Sequence, residues 1–343
     1  MTRRSSTVTI RDVADQAGVS VATVSRYINA TAPVSTDVAA RLDEVMSGLK
    51  YVPHAAARHL ATQRTNAIGL LLTVNIYGDF FTPMLHGIED AIGGAGFNLL
   101  ISSNLPRLTR GFPRPLGPHN TDGLLVFANS MDDAELAHLH GMEFPLVLIH
   151  RSPPDGLNIP SVTVENKAAS AEIVEHLIRV HNRRRIAYLR GPERQEDSTW
   201  REMGYLEALE SNGLPFDSSL VLQGDFEREA ARAAMGGLIA SGAPFDGVFA
   251  GDDDSAVGAL AALQDAGLRV PGDVSVVGFD DQRMSSYLSP PLTTVRAPTE
   301  DVGRAAAQQL LTLLRGGQAD PLTLLPTEIV IRLSCGCQPL PVE

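Results

Sequence analysis

The segment TIRDVADQAGVSVATVSRYIN, residues 9–29, leaves the chain few ways to begin. Thr9 stands three residues before Asp12, the spacing of a capping box, so a helix is expected over 10–17. Val13, Ala14 and Ala17 recur at helical intervals and mark its inner face. Gly18 permits a sharp turn. Ser20 caps a second helix whose Val24 and Ile28 face inward at i, i+4. Ser35 starts a third, with Val38, Leu42, Val45 and Leu49 on one face. Three short helices make a core of marginal size, so this is a specialised head. Two helices around a glycine turn, the second presenting small and polar side chains outward, suit the DNA major groove.

Charge divides along the same boundary. The whole chain is acidic, with a net charge of −12. Its first 64 residues carry 8 Lys/Arg against 5 Asp/Glu, and the remainder 20 against 35. A basic head on an acidic body confines the DNA-attracting field to the head. Within the second helix, Val21 and Ala22 can offer only apolar contact, as to a thymine methyl, while Ser25 and Arg26 lie near base edges. Arg26 can bind guanine through two bonds. Thr9, Ser20, Thr23 and Asn29 are placed to hold phosphates and fix register.

From Asn66 onward, strands alternate with helices. Strands are expected at 68–74, 97–102, 123–128, 145–150, 161–164, 186–190, 247–250, 274–279 and 328–333. Several are continuous apolar runs, as in parallel strands covered on both faces. Amphipathic helices are expected at 84–94, 168–180, 200–212, 227–241, 255–266 and 300–315. The fold class is an all-α helix-turn-helix head followed by an α/β core of two doubly wound parallel-sheet subdomains. Prolines at 106, 113, 115 and 118 break this rhythm and exclude a helix there.

These features together resemble the lac repressor / gal repressor family of transcription regulators over essentially the whole chain. The head motif carries the likeness. It is supported by YVP at 51–53, GP at 191–192, RxxGY at 201–205, VSVVGFDD at 274–281 and PLTT at 291–294. The resemblance implies a head at 1–53, a hinge at 54–65, and a core like periplasmic sugar-binding proteins. The core's N-terminal subdomain would comprise 66–165 and 296–325, and its C-terminal subdomain 166–295 and 326–343. The chain would cross between them near 164–166, 294–296 and 325–327. It further implies that Leu60, flanked by Ala57 and Ala61, is a wedge inserted from the minor groove, with Arg58 following the backbone. Small alanines would let two hinge helices share one groove. A homodimer on a pseudo-palindromic, double-stranded operator is expected. The ending LPVE shows no heptads, so no C-terminal coiled coil is expected. The family usually has a helix at 104–121 that often helps form the dimer contact, and the prolines argue against that helix here.

Ligands of paired α/β domains bind at the carboxyl ends of strands, between lobes. The residues expected there are Asp79, Phe80, Phe81, His150, Arg201, Phe226, Asp252, Asp253 and Asp280. The resemblance assigns Arg201 as an effector clamp, Asp280 as an effector-binding acid and Phe226 as a ring against the ligand. Carboxylates accept from neighbouring hydroxyls and rings cover a sugar's apolar face, so a sugar effector is expected; a purine stacked on Phe226 is the alternative. Asp also starts helices, which competes for Asp252, Asp253 and Asp280.

Other classes find less support. No activated nucleophile, phosphate loop or metal-ligand spacing points to a sugar- or nucleotide-processing enzyme. A solute receptor would need a secretion signal rather than a DNA head. No apolar run spans a membrane, so a cytoplasmic, nucleoid-associated protein without cofactor is expected. Cys335 and Cys337 are the two cysteines. Two ligands do not complete a zinc site, no histidine follows closely, and a bridge across one residue would be strained. They are therefore read as small residues at a strand end, with no metal.

Overall fold

Capping decides where the first helices begin. In the computed structural model, which describes residues 8–29, 32–51, 64–72, 79–103 and 115–338, Thr9 and Asp12 exchange the two bonds of a capping box. The Thr9 N–H donates to Asp12 at 2.7 Å and the Asp12 N–H to Thr9 Oγ1 at 3.4 Å. Helix α1 (Ile10–Ala17) follows and ends at Gly18, whose φ of 63° suits glycine. Helix α2 (Val21–Asn29) starts where Ser20 Oγ accepts the N–H of Thr23 at 3.1 Å. Helix α3 (Thr36–Leu49) follows Ser35, which holds the capping position without a side-chain bond. Val13, Ala14, Ala17, Val24 and Leu42 are buried together, with Ile28, Val38, Val45 and Leu49 packed on them. This head lies within a unit spanning Met1–Asn66, and the rest, Ala67–Glu343, forms a second unit.

The second unit holds two six-stranded sheets. The first contains β1 (Ala67–Leu71), β2 (Asn98–Ser102), β3 (Gly123–Phe127), β4 (Leu146–Ile149), β5 (Ser161–Val164) and β11 (Leu322–Leu325), in the order β11-β5-β4-β3-β1-β2 and parallel throughout. The second contains β6 (Ile186–Arg190), β7 (Val221–Gln223), β8 (Gly247–Ala250), β9 (Ser275–Asp280), β10 (Thr293–Arg296) and β12 (Glu328–Val330). Its order is β12-β10-β9-β8-β6-β7, with β12 alone antiparallel to its neighbour. Strands β1, β3, β4, β8 and β9 are buried along their whole length, which explains their unbroken apolar runs.

Helices cover both faces of each sheet. On the first lie α4 (Phe81–Gly93) and α10 (Thr299–Leu314), and on its other face α5 (Asp133–Gly141). On the second lie the pair α6 (Lys167–Arg179) and α7 (Glu196–Ser211), opposite α8 (Arg228–Ser241) and α9 (Asp253–Asp265). The strand period of two is visible in β6: Ile186 and Tyr188 join the core under α6 and α7, while Ala187 and Leu189 join the core under α8 and α9. Helices α6 and α7 approach so closely at Gly204 that a Cβ there would fall 2.2 Å from the Lys167 carbonyl.

The chain passes from one sheet to the other after Val164, after Arg296 and after Leu325. The second passage comes slightly later than the expected 294–296, because Arg296 is still paired with Asp280 of β9. Strands β7, β10 and β11 and helix α5 were not expected from the sequence. Of the proline-rich stretch 104–121, residues 115–121 are described. They form turns, with Asn120 Nδ2 donating to the Pro115 carbonyl at 2.6 Å and Leu116 buried beside Leu124. Among the described residues no helix is long and apolar enough to cross a membrane.

Candidate functional site

The outer face of α2 presents Val21, Ala22 and Arg26 to solvent, while Val24 is wholly buried. Val21 is 40% exposed, unusual for a large apolar side chain in so small a core. Ser25, Thr23 and Asn29 are half-buried, and Thr9 and Ser20 exposed. The Ser20 and Thr23 hydroxyls meet at 2.9 Å, and Asn29 Nδ2 donates to Ser25 Oγ at 3.2 Å. Tyr27 braces the helix, donating its hydroxyl to Asp43 on α3 at 2.7 Å, which raises the phenol above its ordinary range. Ala57, Arg58 and Leu60 lie outside the described residues.

In the second unit, strained backbone gathers at the carboxyl ends of strands. Ala128 after β3 (φ 43°), His150 after β4 (φ 57°), Phe226 beyond β7 (φ 56°) and Asp280 at the end of β9 (φ 103°) all have positive φ without being glycine. Such conformations persist where the surrounding structure enforces them, commonly at binding sites. Of these residues, Asp280 borders a cleft of about 240 Å³ lined from one lobe by Asp79, Phe80 and Pro83, and from the other by Asp280, Asp281 and Gln282.

A buried chain of polar contacts runs beside it from lobe to lobe. Arg201 is 3% exposed. Its Nε donates to Asn166 Oδ1 at 2.9 Å, Nη1 to the Gly251 carbonyl at 2.5 Å and Nη2 to Asp280 Oδ1 at 3.2 Å. Its guanidinium carbon lies 3.7 Å from the Phe279 ring centroid and 5.4 Å from that of Phe226. Asn166 Nδ2 in turn donates to Asp197 Oδ1 at 2.8 Å. Asp197 Oδ2 meets His150 Nδ1, on the opposite lobe, at 2.8 Å. Burial pushes the Asp197 carboxyl up, but His150, Arg201 and the Asn166 amide outweigh it and hold it below the ordinary carboxylate range. At Asp280 burial wins over Arg201, and its carboxyl is raised. The His150 ring lies near Phe80 and Phe127, and its Nε2 is buried with no hydrogen-bond partner among the described residues.

The expected ligand set divides accordingly. His150, Arg201 and Asp280 belong to this network, Asp79 and Phe80 line the cleft, and the Phe226 ring lies against Gly191 beside Arg201. Arg201 falls in the second turn of α7 rather than at its start, because the helix begins at Glu196. Two of the expected residues lie outside this network. Phe81 is 6% exposed and packs edge-on against Phe80 and Phe127 in the lobe core. Asp253 is wholly buried, with its oxygens occupied by Thr294 Oγ1 at 2.6 Å, Ser285 Oγ at 2.5 Å and the Gln282 N–H at 2.8 Å. Asp252 is also spoken for in part, since its Oδ1 caps α9 through the Ser255 N–H at 3.0 Å.

Near Cys335 and Cys337 lie His176 and His181, which are far upstream in the chain and so escape any scan of spacing.

Residues 9–54 match the family described as bacterial regulatory proteins, lacI family, and residues 174–335 match the periplasmic binding protein-like domain. The probable HTH-type transcriptional repressor ExuR of Bacillus subtilis (strain 168) is 32% identical over 335 residues, covering 95% of this chain and 97% of its own. The HTH-type transcriptional repressor PurR of Yersinia pestis (strain Pestoides F) is 32% identical, covering 92% and 93%. This chain belongs to the LacI family. Among solved structures, the lac repressor dimer bound to operator and the anti-inducer ONPF superposes with a TM-score of 0.80 at 26% identity, covering 96% of this chain and 99% of that one. The transcriptional regulator CelR–cellobiose complex gives 0.70 at 30% identity, covering 95% and 99%. The chain is thus a LacI-family transcriptional repressor with an effector-binding domain, and its relatives are repressors, not enzymes.

Two members of this LacI-family repressor's interlobe network were missed in the sequence. Asp197 and Arg201 stand at i, i+4 on one face of α7, a spacing that could have drawn attention to the acid. Asn166 carried no such signal. It matters because it sits where the chain first leaves the first sheet, between the arginine and the acid.

Proposed function

We propose that this repressor binds a pseudo-palindromic operator as a homodimer and is controlled by a small molecule, of sugar type, held between the two lobes of its core. The observation that carries the effector reading is the His150–Asp197–Asn166–Arg201–Asp280 chain with the unpartnered His150 Nε2 beside it. A ligand rich in hydroxyls can donate to Asp280 and satisfy His150 at once, and so touch both lobes. Each charge-assisted bond would contribute about 1.5–3 kcal/mol. Phe80 and Phe226 offer flat faces to the ligand's apolar side. CelR, a relative of the same fold, is known as a cellobiose complex, which accords with this class. A purine is the second reading, since Phe226 beside Arg201 could also stack on a base and a PurR repressor is a relative.

On DNA, Val21, Ala22, Ser25 and Arg26 read bases, and Thr9, Ser20, Thr23 and Asn29 hold phosphates. Leu60 wedges into the minor groove, with Ala57 allowing close approach and Arg58 following the backbone. The effector acts by differential affinity for two arrangements of the lobes; swinging them from 1:99 to 99:1 takes about 5.5 kcal/mol.

Selection of bound duplexes from a random pool, with and without panels of sugars and purines, tests the proposal. Recovery of a two-fold symmetric site whose enrichment changes with one sugar is the expected result. Enrichment of no symmetric site in any arm would overturn the operator reading. A response to purines alone would overturn the sugar assignment.

A further inference from the structure

Four side chains with metal-binding atoms converge in the second unit, and none of them lines the cleft. His176 belongs to the last turn of α6, and His181 follows just beyond the helix. Cys335 and Cys337 belong to the segment after β12. One donor atom from each lies within 4.8 Å of all the others. His176 Nε2 and His181 Nε2 are 3.2 Å apart, and Cys337 Sγ lies 3.6 Å from the first and 3.4 Å from the second.

Those separations match three of the six edges of a zinc coordination tetrahedron. With Zn–N near 2.0–2.1 Å and Zn–S near 2.3 Å, tetrahedral angles require an N···N edge of about 3.3 Å and S···N edges of about 3.6 Å. A hydrogen bond between the two imidazoles would account for one short edge. It leaves unexplained why one thiol faces both nitrogens and a second lies within reach. The two rings lie edge to face, their planes at 71°.

The Cys335 sulfur is held on several sides, donating to the Arg332 carbonyl at 3.6 Å as well as accepting hydrogen bonds. Cys335 Sγ accepts the Cys337 N–H at 3.5 Å and the Thr293 hydroxyl at 3.1 Å, and donors of this kind stabilise a sulfur anion and orient it. The Cys335 carbonyl accepts from Ser275 Oγ at 2.6 Å, and Ser334 exchanges bonds with Val276 of β9, so the segment is held in place by its own lobe. Gly336, between the cysteines, has φ 113°, and a Cβ there would fall 2.9 Å from His181 Nδ1. Glycine alone lets the backbone pass the ring.

We propose that His176, His181, Cys335 and Cys337 bind one Zn²⁺ as a structural site that ties the segment after β12 to the end of α6. Four protein donors leave no open position, which marks a structural rather than a reactive metal. Paired thiolates and imidazoles select zinc over the oxygen-preferring Mg²⁺ or Ca²⁺. This inference is independent of the effector and operator readings.

Untagged full-length protein, gel-filtered in metal-free buffer, should retain about one zinc per chain by elemental analysis. Replacing zinc with Co²⁺ should give the intense visible bands of a tetrahedral ion and a thiolate-to-cobalt charge-transfer band. His181→Ala leaves both thiols in place, so zinc held loosely by cysteines alone would survive it. Both His181→Ala and Cys337→Ser should instead weaken zinc binding by about 100-fold or more in competition with a chromogenic chelator. Stripping the metal should lower the Tm of the native chain and leave that of the variants unchanged. The cobalt spectrum needs no substitution, so it decides the matter even if a variant fails to fold. Zinc binding unchanged by His181→Ala, an octahedral cobalt spectrum, or a Cys335–Cys337 disulfide in the purified chain would overturn the proposal.

Discussion

His150 Nδ1 and Asp197 Oδ2 meet at 2.8 Å across the two lobes of the core, with both side chains buried. Around this pair, Ser152 donates to Glu196 through its N–H at 2.5 Å and its hydroxyl at 2.6 Å, and Asn129 Nδ2 donates to the Arg194 carbonyl at 2.8 Å. The loop after β4 and the start of α7 are therefore joined by polar contacts.

His150→Ala strands the Asp197 carboxylate but leaves it the Asn166 amide and the field of Arg201. The expected loss is about 3 kcal/mol at pH 7, the low end for breaking a buried pair, measured by urea unfolding. Because Asp197 is held below the ordinary carboxylate value of 3.8 in the folded chain, its contribution is fully present above that value. It is lost as pH falls through the lower, folded one. Wild type should therefore lose stability on acidification more steeply than Asp197→Ala. Parallel acid-unfolding curves for the two would remove the pair from the account.

Asp252 has the opposite sign. Burial, then the Asp280 charge, pushes its carboxyl up to about 7. Between pH 4 and 7 the folded chain keeps a proton that the unfolded chain has released, so stability falls as pH rises through this window. Asp252→Asn removes the titration and keeps an acceptor for the Ser255 N–H, since Asn caps helices as well as Asp does. The variant should gain on the order of 2–4 kcal/mol over wild type at pH 8 and little at pH 4. Thermal melts at both pH values check this, and an equal gain at both would contradict it.

Arg26 carries the sharpest expectation for the head. It is exposed on α2 beside Val21 and Ala22. Arg26→Ala should cost about 1–3 kcal/mol on the best selected duplex and flatten preference at one base pair of each half-site. Thr23→Val, at a position proposed to hold a phosphate, should weaken all duplexes alike. Fluorescence anisotropy on matched and single-mismatch duplexes separates the two patterns. Uniform loss with Arg26→Ala would reduce it to a phosphate contact.

How much of this was legible in the sequence depended on how local each signal was. The head was readable because Thr9, Asp12, Gly18 and Ser20 state their roles within a few residues of one another. Long apolar runs such as those of β3 and β9 announced buried parallel strands. Strand β7 has three half-buried residues and β11 alternates over four, too short for a periodicity to register. Helix α5 buries just Leu136 and Leu139 among charged and histidine neighbours. Asp252 and Asp253 are adjacent acids read alike from the sequence, yet Asp252 caps α9 while Asp253 turns inward to Thr294. Asn166 and the histidines beside the cysteines depend on contacts between distant segments, and no local pattern encodes those.

Arg201 and Asp280 are the members of the network least able to stand alone. Removing the guanidinium with Arg201→Met leaves Asp280, the Gly251 carbonyl and Asn166 Oδ1 without their shared donor in a buried site. A loss of about 3–5 kcal/mol is expected. Adding Asp280→Asn removes the stranded charge, and Asn tolerates the positive φ of 103° at that position. The double variant should therefore be more stable than the two single losses added together, with a coupling of about 1–3 kcal/mol. Arg201→Lys should not restore the wild-type value, because one ammonium cannot reach three acceptors arranged for a planar fork. Additive losses in the double variant would mean that Arg201 is held by packing on Phe279 rather than by its acid.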